Sequence, residues 1–202
     1  IIDKRIDALP LYSVVCDNQK GMRDVVEYLL SLGHKKIAFV TDKKIGLASS
    51  VRDRYFGYAQ ALREAGIIAQ PGWVLDGTYK ADDMERGKTL LRGLLQQGVT
   101  AVCAINDGVA ISVMRCLKLM GLEVPEDISV VSWGETEEAR MAIPSLTTVD
   151  TPDPAPLVRQ IFEHDLGIRP QPGRLLYRTA ASNVILAGES VQERNLTNHP
   201  SK

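Results

Sequence analysis

The sequence predicts an α/β fold, a doubly wound parallel sheet with helices on both faces. Two observations carry this. From Ser13 to about Asp150, short apolar runs rich in Val and Ile alternate with segments of helical period; near-continuous apolar strands separated by helices mark a parallel sheet covered on both sides. The length agrees, since 202 residues suit one ordinary domain or two small lobes sharing a hinge.

The elements follow in order. SVVCDN (Ser13 to Asn18) is a first strand, and Met22, Val25, Val26, Leu29 and Leu30 form one face of a helix ending at Gly33. KKIAFVTD (Lys35 to Asp42) is a second strand. Ser50 and Asp53 have the Ser-x-x-Asp spacing of a helix start, and Tyr55, Ala59 and Leu62 continue that helix to Gly66. WVLDG (Trp73 to Gly77) is a third strand, followed by a helix carrying Met84, Leu91, Leu94 and Leu95. TAVCAI (Thr100 to Ile105) is a fourth, running into the helix caps Asn106 and Asp107. The helix behind them stops at Gly121; ISVVSW (Ile128 to Trp133) and LTTVD (Leu146 to Asp150) are the fifth and sixth strands. Right-handed crossovers leave few topologies for such a series. Beyond Asp150 the pattern changes. A turn with Pro152, Pro154 and Pro156 leads to a helix with Leu157, Ile161, Phe162 and Leu166, then a second Pro/Gly turn, the runs LLYR and NVILA, and a polar, frayed tail from about Gln192.

Composition narrows the function. Hydrophobic residues make up 45% and charged residues 24%, with 24 Lys plus Arg against 25 Asp plus Glu. That balance suits a globular domain with a core and excludes a self-sufficient basic DNA-binding module. It does not exclude a DNA-binding protein separated from its basic head. Cys16, Cys103 and Cys116 form no C-x-x-C pair, which favours a reduced, cytoplasmic setting. No run approaches the roughly 20 apolar residues of a membrane span. The start, IIDKRIDALP, is too charged for a signal-peptide core and reads as the interior of a longer protein.

In an open parallel sheet, ligands bind outside the carboxyl ends of the strands. The residues there are Asp17 and Asn18, the loop from Asp42 to Arg54, Thr78 and Tyr79, Asn106 and Asp107, and Gly134 and Glu135. No histidine is among them; His34, His164 and His199 lie elsewhere, and no G-x-S-x-G elbow exists. Gly87-Lys88-Thr89 falls inside a helical segment, so it cannot form a phosphate-cradling loop. Asn195-Leu196-Thr197 is a chance sequon in a polar tail, and no Cys/His cluster has metal spacing. An Asn-Asp pair after a strand serves readily as a helix cap, and an Arg near a helix start is usually solvated. The residues alone therefore describe a binding fold without catalytic machinery, cofactor or metal.

GLEVPEDISVVSW (Gly121 to Trp133) and IPSLTTVD (Ile143 to Asp150) resemble the effector-binding core of LacI/GalR-type bacterial transcriptional regulators. DNQKG (Asp17 to Gly21), LGHKKIAFVT (Leu32 to Thr41), RDRYFGYAQALREAGI (Arg52 to Ile67) and AINDGVAI (Ala104 to Ile111) follow in family order. The resemblance implies a periplasmic-binding-protein-like fold of type I, a small-molecule effector (a sugar or another small metabolite) in a cleft between lobes, a homodimer, and operator DNA bound through a helix-turn-helix headpiece. It implies one complete carboxy-terminal lobe (13–150 with 182–190), a remnant of the amino-terminal lobe (1–12 and 151–181), and a polar tail (191–202). The headpiece, its hinge and most of the first lobe would precede Ile1. The late helix would then expose Leu157, Ile161 and Leu166, to be covered by a neighbouring molecule or left poorly ordered.

The resemblance also implies site residues. Arg54, in Arg54-Tyr55-Phe56-Gly57, matches an effector-binding arginine, whose rigid fork suits hydroxyls, a carboxylate or a phosphate. Asn106 matches an asparagine that recognises hydroxyls, and Tyr79 falls where several members place a stacking ring. Gly134 stands where many members carry an Asp acceptor, so Glu135 takes over or the ligand lacks the matching hydroxyl. Asp153 stands where some members use an aromatic residue. The helix from about Asp107 to Met120, apolar on more than one face, is expected to meet a partner subunit on one side and the sheet on the other. The same fold serves periplasmic solute receptors of transport systems, which is the alternative reading.

Overall fold

The computed structural model describes residues 2, 6, 12–80, 82–151, 153–165, 177–179 and 184–194. Its centre is a four-stranded parallel sheet in the order β3-β2-β4-β5: β3 is Val74–Leu75, β2 Ile37–Val40, β4 Ala101–Ala104 and β5 Ser129–Val131. Ile37 pairs with Ala101, and Ala101 with Ser129. All four residues of β2 and all four of β4 are buried, as expected for strands covered on both faces.

Helices α1 (Asn18–Ser31), α2 (Ser49–Glu64), α3 (Met84–Gln96) and α4 (Asp107–Leu119) alternate with these strands. α1 buries Met22, Val25, Val26 and Leu29, and each such side chain contributes roughly 1.5–3 kcal/mol of burial. It crosses α2 so closely that a Cβ on Gly57 would lie 2.1 Å from the Gln19 carbonyl oxygen, so that position admits glycine alone. Tyr58 passes beneath α2 and donates to the Ile37 carbonyl at 2.8 Å. Burial pushes its phenol pKa up.

Four expectations change. The first strand, β1 (Ser13–Val15), pairs in parallel with β7 (Tyr177–Thr179) and not with the four-stranded sheet. The sixth strand, β6 (Thr148–Asp150), runs antiparallel to β8 (Val184–Leu186) and outside the four-stranded sheet. The third strand is shorter than WVLDG because Pro71–Trp73 form a 3-10 turn. α2 starts at Ser49 behind Ala48, with no side-chain cap; Asp53 lies 3.4 Å from Arg52 Nε and closes no capping box.

The chain end is also less frayed than expected. Ser190 accepts from Val130 N at 2.8 Å and donates through Oγ to the Val130 carbonyl at 2.6 Å. Gln192 Nε2 donates to Pro125 O at 2.9 Å, and Arg194 N to Leu32 O at 2.7 Å. Buried His34 bridges the two sides, with Nδ1 3.0 Å from Thr100 Oγ1 and Nε2 3.0 Å from Gln192 O. Burial lowers its pKa. Residues 191–194 are thus docked, while 195–202, with the sequon and His199, lie outside the described residues.

After β6, α6 (Ala155–Gln160) continues into a π-helical turn, Ile161–Asp165. Here Ile161 is buried and Leu157 half-buried, while Phe162 is exposed. The expectation of an uncovered Ile161 is therefore corrected, since the chain itself covers it. Leu166, Pro152, Ser182 and the His164 side chain lie outside the described residues. A short α5 (Glu137–Met141) sits between β5 and β6.

Candidate functional site

The carboxyl ends of β2, β4 and β5 open onto a cavity of about 450 Å³, within the range of small-molecule sites. Asp42 and Lys43 line it from the loop after β2, and Ala48, Ser50, Val51 and Arg54 from the start of α2. Ile105 and Asn106 follow β4, Trp133 follows β5, and Thr151 follows β6.

Arg54 sits one turn into α2, so its side chain reaches back toward the strand ends. It is 8% exposed. Nε donates to Asn18 Oδ1 at 2.8 Å and Nη1 to the Ile105 carbonyl at 2.7 Å. The guanidinium lies 4.2 Å from the centre of the Trp133 ring, a favourable cation–π distance. Asn18 is itself set by a 3.1 Å bond from Nδ2 to Cys16 O. The guanidinium is thus held in one orientation before any ligand arrives, which lowers the cost of binding.

Asn106 serves as a helix cap and also lines the cavity. Its Oδ1 caps α4 by accepting from Val109 N at 2.9 Å. With Oδ1 engaged, the amide Nδ2 is the group it offers to a ligand.

The Gly134 departure has a physical cause. Asp107, 3% exposed, accepts from Ser132 Oγ, from Thr148 Oγ1 at 3.2 Å and from Thr136 N at 2.9 Å. A Cβ on residue 134 would stand 2.6 Å from Asp107 Oδ2, and Gly134 has φ +139°. An aspartate there would clash with one carboxylate and add a second like charge. Glu135 does not take over the role: its Oε1 accepts from Arg140 Nη1 at 2.7 Å, and neither residue lines the cavity.

Two further expected site residues lie elsewhere. Tyr79 is fully buried, with its hydroxyl 3.0 Å from Ser112 Oγ and 3.5 Å from Cys116 Sγ. Its ring is packed under α3 and α4, away from the cavity, and burial raises its pKa. Asp153 is exposed and accepts from Ala155 N at 2.9 Å at the start of α6; the cavity residue is Thr151, two positions earlier. Gly87-Lys88-Thr89 lies inside α3, with Lys88 Nζ 2.5 Å from Glu85. Burial pushes the Cys103 thiol up to about 12, so it is a core residue with no thiolate chemistry. Among the described residues, no group of three or more His, Cys, Asp or Glu is placed to hold a metal ion. No helix among them is long and apolar enough to cross a membrane.

Trp133 lines the cavity and was not among the strand-end residues expected there, whereas Lys43 and Ser50 fell in the expected loop without a role of their own. Trp133 closes an apolar strand run and reads as core; its position at the carboxyl end of the strand was the available signal.

The chain matches the periplasmic binding protein-like domain family over residues 26–163. It is 33% identical over 145 residues to the HTH-type transcriptional regulator DegA of Bacillus subtilis, covering 71% of this chain and 42% of DegA. Among solved structures, it superposes with a LacI family transcriptional regulator from Mycobacterium smegmatis at TM-score 0.73 and 28% identity, over 90% of this chain and 66% of that one. It superposes with the transcriptional regulator CelR in complex with cellobiose at TM-score 0.71 and 27% identity, over 90% and 54% respectively. The chain spans about two fifths of the length of the curated relatives it matches. Its fold, the cavity at the strand ends and the match over most of its length place it in the periplasmic-binding-protein-like domain family, in the form carried by LacI-type transcriptional regulators.

Proposed function

We propose that this chain is the effector-binding portion of a LacI/GalR-type regulator, sensing a small molecule in the cavity around Arg54 and coupling it to operator DNA through a helix-turn-helix portion outside these residues. The observation that carries the reading is the preset guanidinium of Arg54, locked by Asn18 and Ile105 at the mouth of a cavity that also holds Asn106. CelR binds cellobiose, and a sugar or another small metabolite suits a cavity of this size. The relatives it matches are transcriptional regulators. The coupling is thermodynamic: an effector shifts the lobe arrangement, and with it DNA binding, by its differential affinity for the two states.

A second copy of this chain is the proposed cover for the α4/α5 face. Ile111, Met114 and Ala142 line a groove of about 240 Å³ there, and Met141 and Ile143 beside it are 72% and 89% exposed. On its other side α4 buries Val109, Val113 and Leu117 against its own chain. We infer that the groove face joins two copies of the chain in a cytoplasmic homodimer.

The test is a thermal-shift screen of small metabolites on the full chain. A ligand that raises Tm in the parent and fails to do so in Arg54→Lys and Asn106→Ala supports the site. Retention of the full shift in Arg54→Lys removes Arg54 from it.

A further inference from the structure

The chemistry of the cavity wall says more about the ligand, and the inference rests on the site reading above. α2 is a 16-residue helix whose N-cap residue is Ala48, with no side-chain cap and no acidic residue in its first turn. By contrast, α1, α3 and α4 begin behind Asp17, Asp83 and Asn106, each accepting from a first-turn N–H. Ala48, Ser50 and Val51 line the cavity, so this bare, partially positive helix end opens onto it.

A second observation is independent of the helix. Trp133 is 3% exposed and stands on the same wall, and its Nε1–H has no acceptor. The charged residues of the wall are two cations, Lys43 and Arg54, against one carboxylate, Asp42. Lys43 has no ion pair among the described residues, and the buried Oδ1 of Asp42 has no donor. Donors in excess call for an acceptor-rich ligand, and one orphaned carboxylate oxygen calls for one ligand donor.

We propose that the cavity takes a small metabolite bearing an oxyanion, a phosphate ester or a carboxylate, seated at the N-terminus of α2 with Lys43 and Arg54 as its cationic partners and a neighbouring hydroxyl or amine donating to Asp42. A neutral sugar leaves the helix end, Lys43 and the Trp133 indole without an oxyanion. The absence of an acceptor carboxylate at Gly134 fits the same ligand, because the site gives up one contact to neutral hydroxyls and adds no negative charge.

The experiment is an NMR titration of the full chain with three probes: glucose, glucose 6-phosphate and inorganic phosphate. The readouts are the Ser50 and Val51 amides and the indole N–H signals of the two tryptophans. Trp73, whose indole N–H is also unpartnered but lies away from the cavity, is the internal control. The expected result is saturable movement of Ser50, Val51 and the Trp133 indole with both phosphate probes, while the Trp73 indole stays fixed. Glucose 6-phosphate should bind at least about tenfold tighter than glucose, and Lys43→Ala should weaken both phosphate probes by roughly fivefold more than it weakens glucose. Glucose binding as tightly as its phosphate at these residues would overturn the oxyanion assignment and leave the cavity reading standing. Silence of all three readouts toward inorganic phosphate and glucose 6-phosphate would overturn it as well. The Arg54 and Asn106 variants then judge the cavity reading separately.

Discussion

Arg54, on the cavity wall, and Asp107, behind it, are two buried charges used in opposite ways. Asp107 is turned inward: Ser132, Thr148 and the Thr136 amide surround its carboxylate, and Gly134 lies against it. Arg54 is turned outward: it is braced from behind by Asn18 and Ile105 and lines the cavity. The first charge ties β4, β5 and β6 together, and the second is offered to a ligand. A site of this kind needs both, because a guanidinium is useful only when the strand ends that frame it keep their spacing.

The contrast breaks first at Asp107. Replacing it with Ala strands the Ser132 hydroxyl and the Thr136 amide, while Thr148 Oγ1 keeps the Gly134 carbonyl, and should cost about 3–5 kcal/mol. Chemical denaturation of Asp107→Ala should show that loss, with Asp107→Asn losing clearly less. Next comes Gly134→Ala, which meets both a left-handed backbone and the 2.6 Å approach to Asp107 Oδ2; a loss of about 2–3 kcal/mol is expected. If the contact and not the backbone dominates, combining it with Asp107→Asn should give a clear non-additive term in a double-mutant cycle. Arg54→Lys sharpens the other half. It should lower Tm by only a few degrees, as expected from about 1 kcal/mol in a chain of this size, yet lose the ligand-induced shift entirely. Equal damage to stability from Arg54→Lys and Asp107→Ala would erase the distinction.

The smallest effect is a pH dependence at His34. Burial lowers its pKa in the folded chain, so the unfolded chain binds the proton more readily. Its contribution is fully present above about pH 6.5, the ordinary histidine value, and is lost as pH falls below it toward the lowered native value. Unfolding midpoints measured between pH 5 and 8 should fall on the acid side in the parent and do so less steeply in His34→Gln.

Much of this was legible before the coordinates, for identifiable reasons. β2, β4 and β5 are continuous apolar runs, and the helices between them bury periodic faces, so local pattern and tertiary environment agree. The cavity-lining positions of Arg54 and Asn106 were legible because Asn106 follows β4 directly and Arg54 lies near the start of the helix after β2, each within a family-like segment. Tyr79 was not, because the loop between β3 and α3 decides whether its ring faces the cavity or the core, and nothing local records that choice. The pairing of β1 with β7 joins residues that are distant in sequence, and periodicity carries no information about such partners. Gly134 was read as a lost ligand contact; its cause lies in Asp107, a neighbour in space and not in sequence.

The docking of Ser190 on Val130 also bears on how this polypeptide comes to be folded. As the chain leaves the ribosome, β2, β3, β4 and β5 are available long before residue 190. Until that residue arrives, the Val130 N–H and carbonyl on the outer edge of β5 have no partner from it, and an unpaired strand edge invites association with other chains. The last stretch of the chain therefore acts as a latch on nascent protein, and a product ending before Gly188 should gather in aggregates even though every strand of its central sheet is present.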